Sequence, residues 1–263
     1  MKYLIVHDGT LSAQKLLRYG LERAARTGAA VMVLSVFPAP LFSGYEGMHA
    51  EARARREYEA SLEDARAVLK TFDDRLDVSL YTADGDPDEV ILSTAESEQV
   101  GTILLTPRYR RIQRKTSVPV AIVPGTLLLP VDSSNEAMGI IGQVAQEARE
   151  SGSSVIILGV VPVHLYSRSE KMALRAVEEA TLGTMNRVLT VLRAEGVDAR
   201  PILRSGYPDD EILRAANEFT ISTVIFPQGG VAPSELRKAA HVLLAEREQA
   251  RVPLLFVPAA EGA

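Results

Sequence analysis

Two aspartates, Asp8 and Asp132, stand 124 residues apart. Asp132 directly follows an apolar run, Asp8 follows one after His7, and each precedes small or hydroxylated residues, as Asp8-Gly9-Thr10 and Asp132-Ser133-Ser134. A carboxylate at the carboxyl end of a parallel strand can accept hydrogen bonds from ribose hydroxyls, and the crevice beyond such strand ends is where doubly wound sheets hold ligands. The competing use of the same residues is structural. Thr10, Ser12 or Ser133 would cap the next helix, and the aspartate would complement its dipole.

Other chemistries find no support in the residue inventory. There is no cysteine, which removes disulfides, thiol catalysis and thiolate metal sites. The four histidines, His7, His49, His164 and His241, show neither i, i+4 pairing nor acidic companions at metal-ligand spacing. Gly-x-Ser-x-Gly and the Walker Gly-Lys-Ser/Thr loop are both absent. No enzymatic activity is expected on this reading. A net charge of −5 argues against a nucleic-acid partner, which needs a basic surface. The opening run Tyr3–Val6 is too short for a signal peptide or a membrane span, and a cytoplasmic protein is expected.

The elements that must position these aspartates occur twice. In the first half, strands are expected at Tyr3–Val6, Val31–Phe37, Val78–Tyr81, Thr102–Leu105 and Val118–Pro124. Helices fall between them, including a long charged one from about Glu51 to Phe72. The second half repeats the order, from Leu127–Val131 to Leu254–Val257, with a last helix at Ser234–Arg251. Gly85-Asp86-Pro87 and Gly206-Tyr207-Pro208 stand 121 residues apart and read as turns opening a Pro-started helix. Pro119 and Pro253 are 134 apart, so the two halves differ in length just before the last strand. Alternating strands and helices with short connections imply two doubly wound parallel-sheet α/β domains, 1–125 and 126–263. With 46% hydrophobic but only 5% aromatic residues, their cores must be built from aliphatic side chains.

The strand-end Asp-Gly-Thr and Asp-Ser-Ser, the Gly-x-Pro turns and the closing Val118–Pro124 and Val252–Pro258 segments, in that order twice, resemble the universal stress protein family. That resemblance implies a Rossmann-like fold of the adenine nucleotide alpha-hydrolase type. It implies a tandem stress-response or regulatory protein, with ATP or AMP as the possible ligand and protein partners unknown. It also implies that the two closing strands meet as an intra-chain pseudo-dimer through Val120, Ile122, Leu255 and Val257, with a further homodimer possible.

Nucleotide-binding members are similar to one another in Gly-2x-Gly-9x-Gly-Ser/Thr, where small residues let backbone N–H groups reach phosphate. Aligned back from Pro253, the second half has Pro227, Gly230, Ala240 and His241 at these places, with Gly229 beside the surviving glycine. The first half has only Pro107–Ser117 between its last two strands, with no room for the pattern. The expected reading is therefore a non-enzymatic protein with a degenerate nucleotide site. The alternative is a nucleotide sensor using Asp132, Ser133, the Val160 backbone, Gly229, Gly230 and His241, with Asp8, Gly9 and Thr10 as the first-half counterpart. The basic run Arg108–Lys115 is expected as a solvated turn, or else as an anion or partner contact.

Overall fold

The computed structural model describes residues 1–38, 47–72, 76–134, 136–167, 169–228, 234–245 and 252–258, with backbone alone for 47–50. The chain divides into two units, Met1–Pro124 and Gly125–Ala263.

The first unit contains β1 (Lys2–His7), α1 (Leu11–Thr27), β2 (Ala30–Phe37), α2 (Gly47–Lys70) and β3 (Val78–Asp84). It continues with α3 (Pro87–Ser97), β4 (Thr102–Leu105) and β5 (Val120–Ile122). A 3-10 segment, Pro107–Arg114, joins β4 to β5 where a full helix would otherwise lie. The second unit contains β6 (Thr126–Val131), α4 (Ile141–Ser151), β7 (Ser154–Val161), α5 (Lys171–Ala194) and β8 (Ala199–Ser205). Then come α6 (Pro208–Glu218), β9 (Thr223–Gln228), α7 (Glu235–Ala245) and β10 (Leu254–Pro258). The expected end of α7, beyond Ala245, lies outside the described residues.

Each unit builds one five-stranded parallel sheet, ordered β3-β2-β1-β4-β5 and β8-β7-β6-β9-β10. The order reverses between β1 and β4, and again between β6 and β9. A crevice therefore opens at the carboxyl ends of those strands. Central strands are apolar along most of their length because helices cover both faces. β2 reads AVMVLSVF and is buried from its second residue on. Alternation sends Tyr3, Ile5, Val31 and Val33 to the α1–α2 side and Leu4, Val6, Met32 and Leu34 to the α3 side. Val120 and Ile122, expected as an exposed edge, are buried in the α3-side cluster of their own domain.

The helix starts differ between the halves. Thr10 caps α1 by accepting from the Ala13 amide at 3.2 Å. In the second unit the capping role expected of Ser133 is not filled. A 3-10 turn, Glu136–Ile140, precedes α4, whose N-cap Ile140 offers no side-chain acceptor.

Candidate functional site

A cavity of about 520 Å³ lies at the carboxyl ends of the first sheet. The β1–α1 turn supplies Asp8, Gly9 and Thr10, and the end of β2 supplies Phe37. Gly85 and Asp86 come from the turn before α3, and Arg108, Tyr109 and Arg111 from the 3-10 segment. α2 closes the remaining side with Glu57, Tyr58 and Ser61.

Local chemistry fixes each part. Asp8 Oδ1 accepts from the Thr10 amide at 3.2 Å and from its hydroxyl at 2.6 Å, which folds the turn back on itself. Asp8 Oδ2 is buried without a well-formed hydrogen bond, and Arg108 Nη1 approaches it to 3.5 Å. Gly9 has φ +77, and a Cβ there would stand 2.9 Å from Ser61 Oγ, so only glycine lets α2 come this close. Tyr58 donates to the Ser35 carbonyl at 3.0 Å and meets Phe37 edge-on, ring centroids 5.4 Å apart. The Arg55 guanidinium covers Phe37 at 4.3 Å and is held by Asp84 at 2.8 Å.

The basic run is not a free solvated turn. Asp88 Oδ2 accepts from Arg111 Nε at 2.6 Å and from Lys115 Nζ at 2.9 Å, which ties the segment to the start of α3. Burial opposes ionisation of Asp88, but the two cations overcome it and hold the carboxyl below its ordinary range. Tyr109 is pushed up to about 12, by burial first and then by the Asp8 carboxylate beside it. Burial likewise pushes the His7 imidazole below the ordinary histidine range, against the opposing pull of Asp8 and Asp64.

The second domain treats its candidates differently. Asp132 Oδ1 accepts from the Ser134 amide at 2.8 Å, a turn-closing bond, and Ser133 is exposed. The Val160 side chain is packed in the apolar cluster with Ile156, Leu158 and Phe226. His241 is exposed on α7 and lines a separate cavity of about 410 Å³ with Phe226, Leu236, Ala240 and Phe256. Glu136 and Arg237, paired at 2.8 Å, stand at its edge. Asp132, Ser133 and Val160 do not line that cavity. Gly229 and Gly230 lie outside the described residues. Near the strand ends, His164 stacks on Tyr207 with centroids 4.1 Å apart.

Sequence reasoning placed Asp8, Gly9 and Thr10 correctly at a strand end and singled out the basic run, but it missed the α2 wall. The available signal was a small and polar stripe, Ala54, Tyr58 and Ser61, along a helix read as a solvated face over the apolar stripe Leu62, Ala65, Val68, Leu69 and Phe72. Among the described residues no group of three acidic or histidine side chains can hold a metal ion. No helix among them is long and apolar enough to cross a membrane.

No curated protein matches the chain. Solved structures similar to it include a universal stress protein from Archaeoglobus fulgidus DSM 4304, 16% identical, with a TM-score of 0.39. That match covers 100% of this chain and 97% of the other. Universal stress protein UspA from Lactobacillus plantarum is 16% identical over 52% of this chain and 99% of its own, TM-score 0.43. A universal stress protein in complex with cAMP is 18% identical over 52% and 99%, TM-score 0.38. The sequence profile of the universal stress protein family matches residues 1–123 and again 125–258. The chain therefore belongs to the universal stress protein family and carries two of its domains in tandem.

Proposed function

We propose that this tandem universal stress protein is a non-enzymatic, cytoplasmic regulatory protein whose first domain binds a nucleotide with a short phosphate chain. The observation that supports the reading is the first-domain cavity and its mixed lining. Tyr58, partly exposed on α2, offers aromatic surface to a planar base. Asp8 offers a carboxylate oxygen to a ribose hydroxyl or an amino group, and Arg108 offers a guanidinium to phosphate. A triphosphate has no glycine-rich seat here, because the 3-10 segment replaces the loop and Arg111 is already committed to Asp88. Among the described residues none in the lining supplies a metal site or a positioned nucleophile, and the role fits binding rather than turnover. On this reading the first domain carries the chemistry that sequence alone pointed to in the second.

Acid extraction of the purified protein, followed by calorimetric titration with AMP, cAMP and ATP, tests this. AMP or cAMP should bind at least as tightly as ATP. Asp8→Ala should weaken binding by about 1.5–3 kcal/mol, the worth of a hydrogen bond to a charged group, while Asp132→Ala leaves it unchanged. No extracted nucleotide and no heat at millimolar ligand would defeat the proposal.

A further inference from the structure

The first domain contains buried polar groups that its site does not use. His7 is 0% exposed, and neither ring nitrogen has a hydrogen-bond partner among the described residues. Ser35 Oγ and Thr106 Oγ1 are buried without partners in the same way. His7 and Ser35 are register partners in β1 and β2. Carrying the β1–β4 register two residues beyond Ile5–Leu104 sets Thr106 across from His7 on its other side. The three therefore form one row over adjacent strands, spaced by about 4.8 Å. Strand alternation puts all three on the α1–α2 side with Ile5, Val33 and Leu104. The row lies just beneath the cavity, because His7 precedes Asp8, Ser35 precedes Val36, and Thr106 is two residues before Arg108.

Buried polar groups without partners cost stability, and three together call for a use. The fold itself does not demand them. In the second domain the same places hold Val131, paired in register with Gly159, and, by the continued β6–β9 register, Pro227. A Cβ on Gly159 would meet Met185 Sδ at 2.3 Å, so that row is apolar and filled from α5.

We propose that His7, flanked by the hydroxyls of Ser35 and Thr106, is a buried proton acceptor that couples anion binding in the first-domain cavity to proton uptake. This rests on the nucleotide reading above. A neutral imidazole carries one donor and one acceptor, whereas the imidazolium carries two donors. The hydroxyl on each side has lone pairs free to receive them. The charged groups acting on His7 are Asp8 from the β1–α1 turn and Asp64 from α2. α1 packs Leu16 and Leu17 onto this side of the sheet. Beyond Thr106, Arg108 and Tyr109 are engaged with Asp8. Burial disfavours the charged ring, against the opposing pull of the two carboxylates. An arriving phosphate adds negative charge and favours the imidazolium. By linkage, a proton must then tighten anion binding to the same degree.

The test is calorimetric titration of the full-length protein with cAMP, whose phosphodiester charge is constant over the range used. It is run at about pH 6 and about pH 8, either side of the histidine range, in two buffers of different ionisation enthalpy. Wild type should bind about three- to sixfold more tightly at the lower pH, the effect of one unit of coupling on a histidine that starts at or below its ordinary value, with net proton uptake. His7→Val installs the residue found at this place in the second domain, and His7→Gln keeps a polar side chain that cannot titrate. Both variants should bind without the pH dependence and without proton uptake, and the second serves if the first fails to fold. The same pH dependence in wild type and variants would overturn the proposal while leaving the nucleotide reading standing. No binding of cAMP or AMP by wild type at either pH would overturn both.

Discussion

Replacing Asp88 by Asn removes one buried charge while keeping the side-chain shape, and it addresses how the basic segment is held over the first-domain cavity. Asp88 is 4% exposed and receives Arg111 and Lys115 at 2.6 and 2.9 Å, yet those two side chains are 66% and 50% exposed. Solvent therefore screens both pairs, and each is worth at most about 1 kcal/mol. Asp88 also lies in the first turn of α3, where a negative charge adds about 0.3–1 kcal/mol. The desolvation of the carboxylate offsets part of this sum. A net loss of about 1–2 kcal/mol follows, or about 3–8 °C in the melting of the first domain. The sign with pH is fixed by the lowered carboxyl. Its contribution is complete above the unfolded value near 4 and is lost as pH falls through the folded one. Urea unfolding of wild type and Asp88→Asn from about pH 7 to about pH 3 should show the gap closing toward acid. An unchanged midpoint at neutral pH, or a gap that widens in acid, would refute the tie between the segment and α3.

Further outcomes are expected at other positions. Gly9→Ala meets both a positive φ and Ser61, and should cost about 1–2 kcal/mol from the backbone alone, with more from the contact. Ser61→Gly in the same chain should restore only the contact part, as read by urea unfolding. Acid should weaken the first domain before the second. His7 is lowered from 6.5, so its contribution is present above that value and is lost as pH falls through the folded one; Asp88 acts in the same direction further down. Hydrogen exchange resolved by domain reads this order. Ile122→Lys places an unpaired charge in the first domain's own cluster and should cost more than about 3 kcal/mol. That variant therefore reports on this core, and a polar change on the outer edge of β5 is the better probe of any contact between closing strands.

Much of the architecture was legible because parallel sheets write themselves as apolar runs separated by amphipathic helices. Asp8 and Asp132 marked the same strand end twice, and the short Pro107–Ser117 interval announced the missing helix. The volume that each strand end leaves was not legible. That depends on side chains distant in sequence: Met185 of α5 filling the space above Gly159, His164 meeting Tyr207, and Tyr58 and Ser61 of α2 facing the β1–α1 turn. A glycine count along one loop weighs backbone access to phosphate and is blind to the volume left by such neighbours. The role of the basic run escaped for a similar reason, since its partner Asp88 lies 23 residues before Arg111 on another element.

The contrast between the row His7, Ser35, Thr106 and the row Val131, Gly159, Pro227 makes the molecule its own reference cell. Both rows occupy the same station in the same sheet order, and both experience identical temperature, solvent and concentration in every sample. A probe attached to each domain would report the signal and its blank together. Influences common to both would cancel, leaving what the polar row contributes.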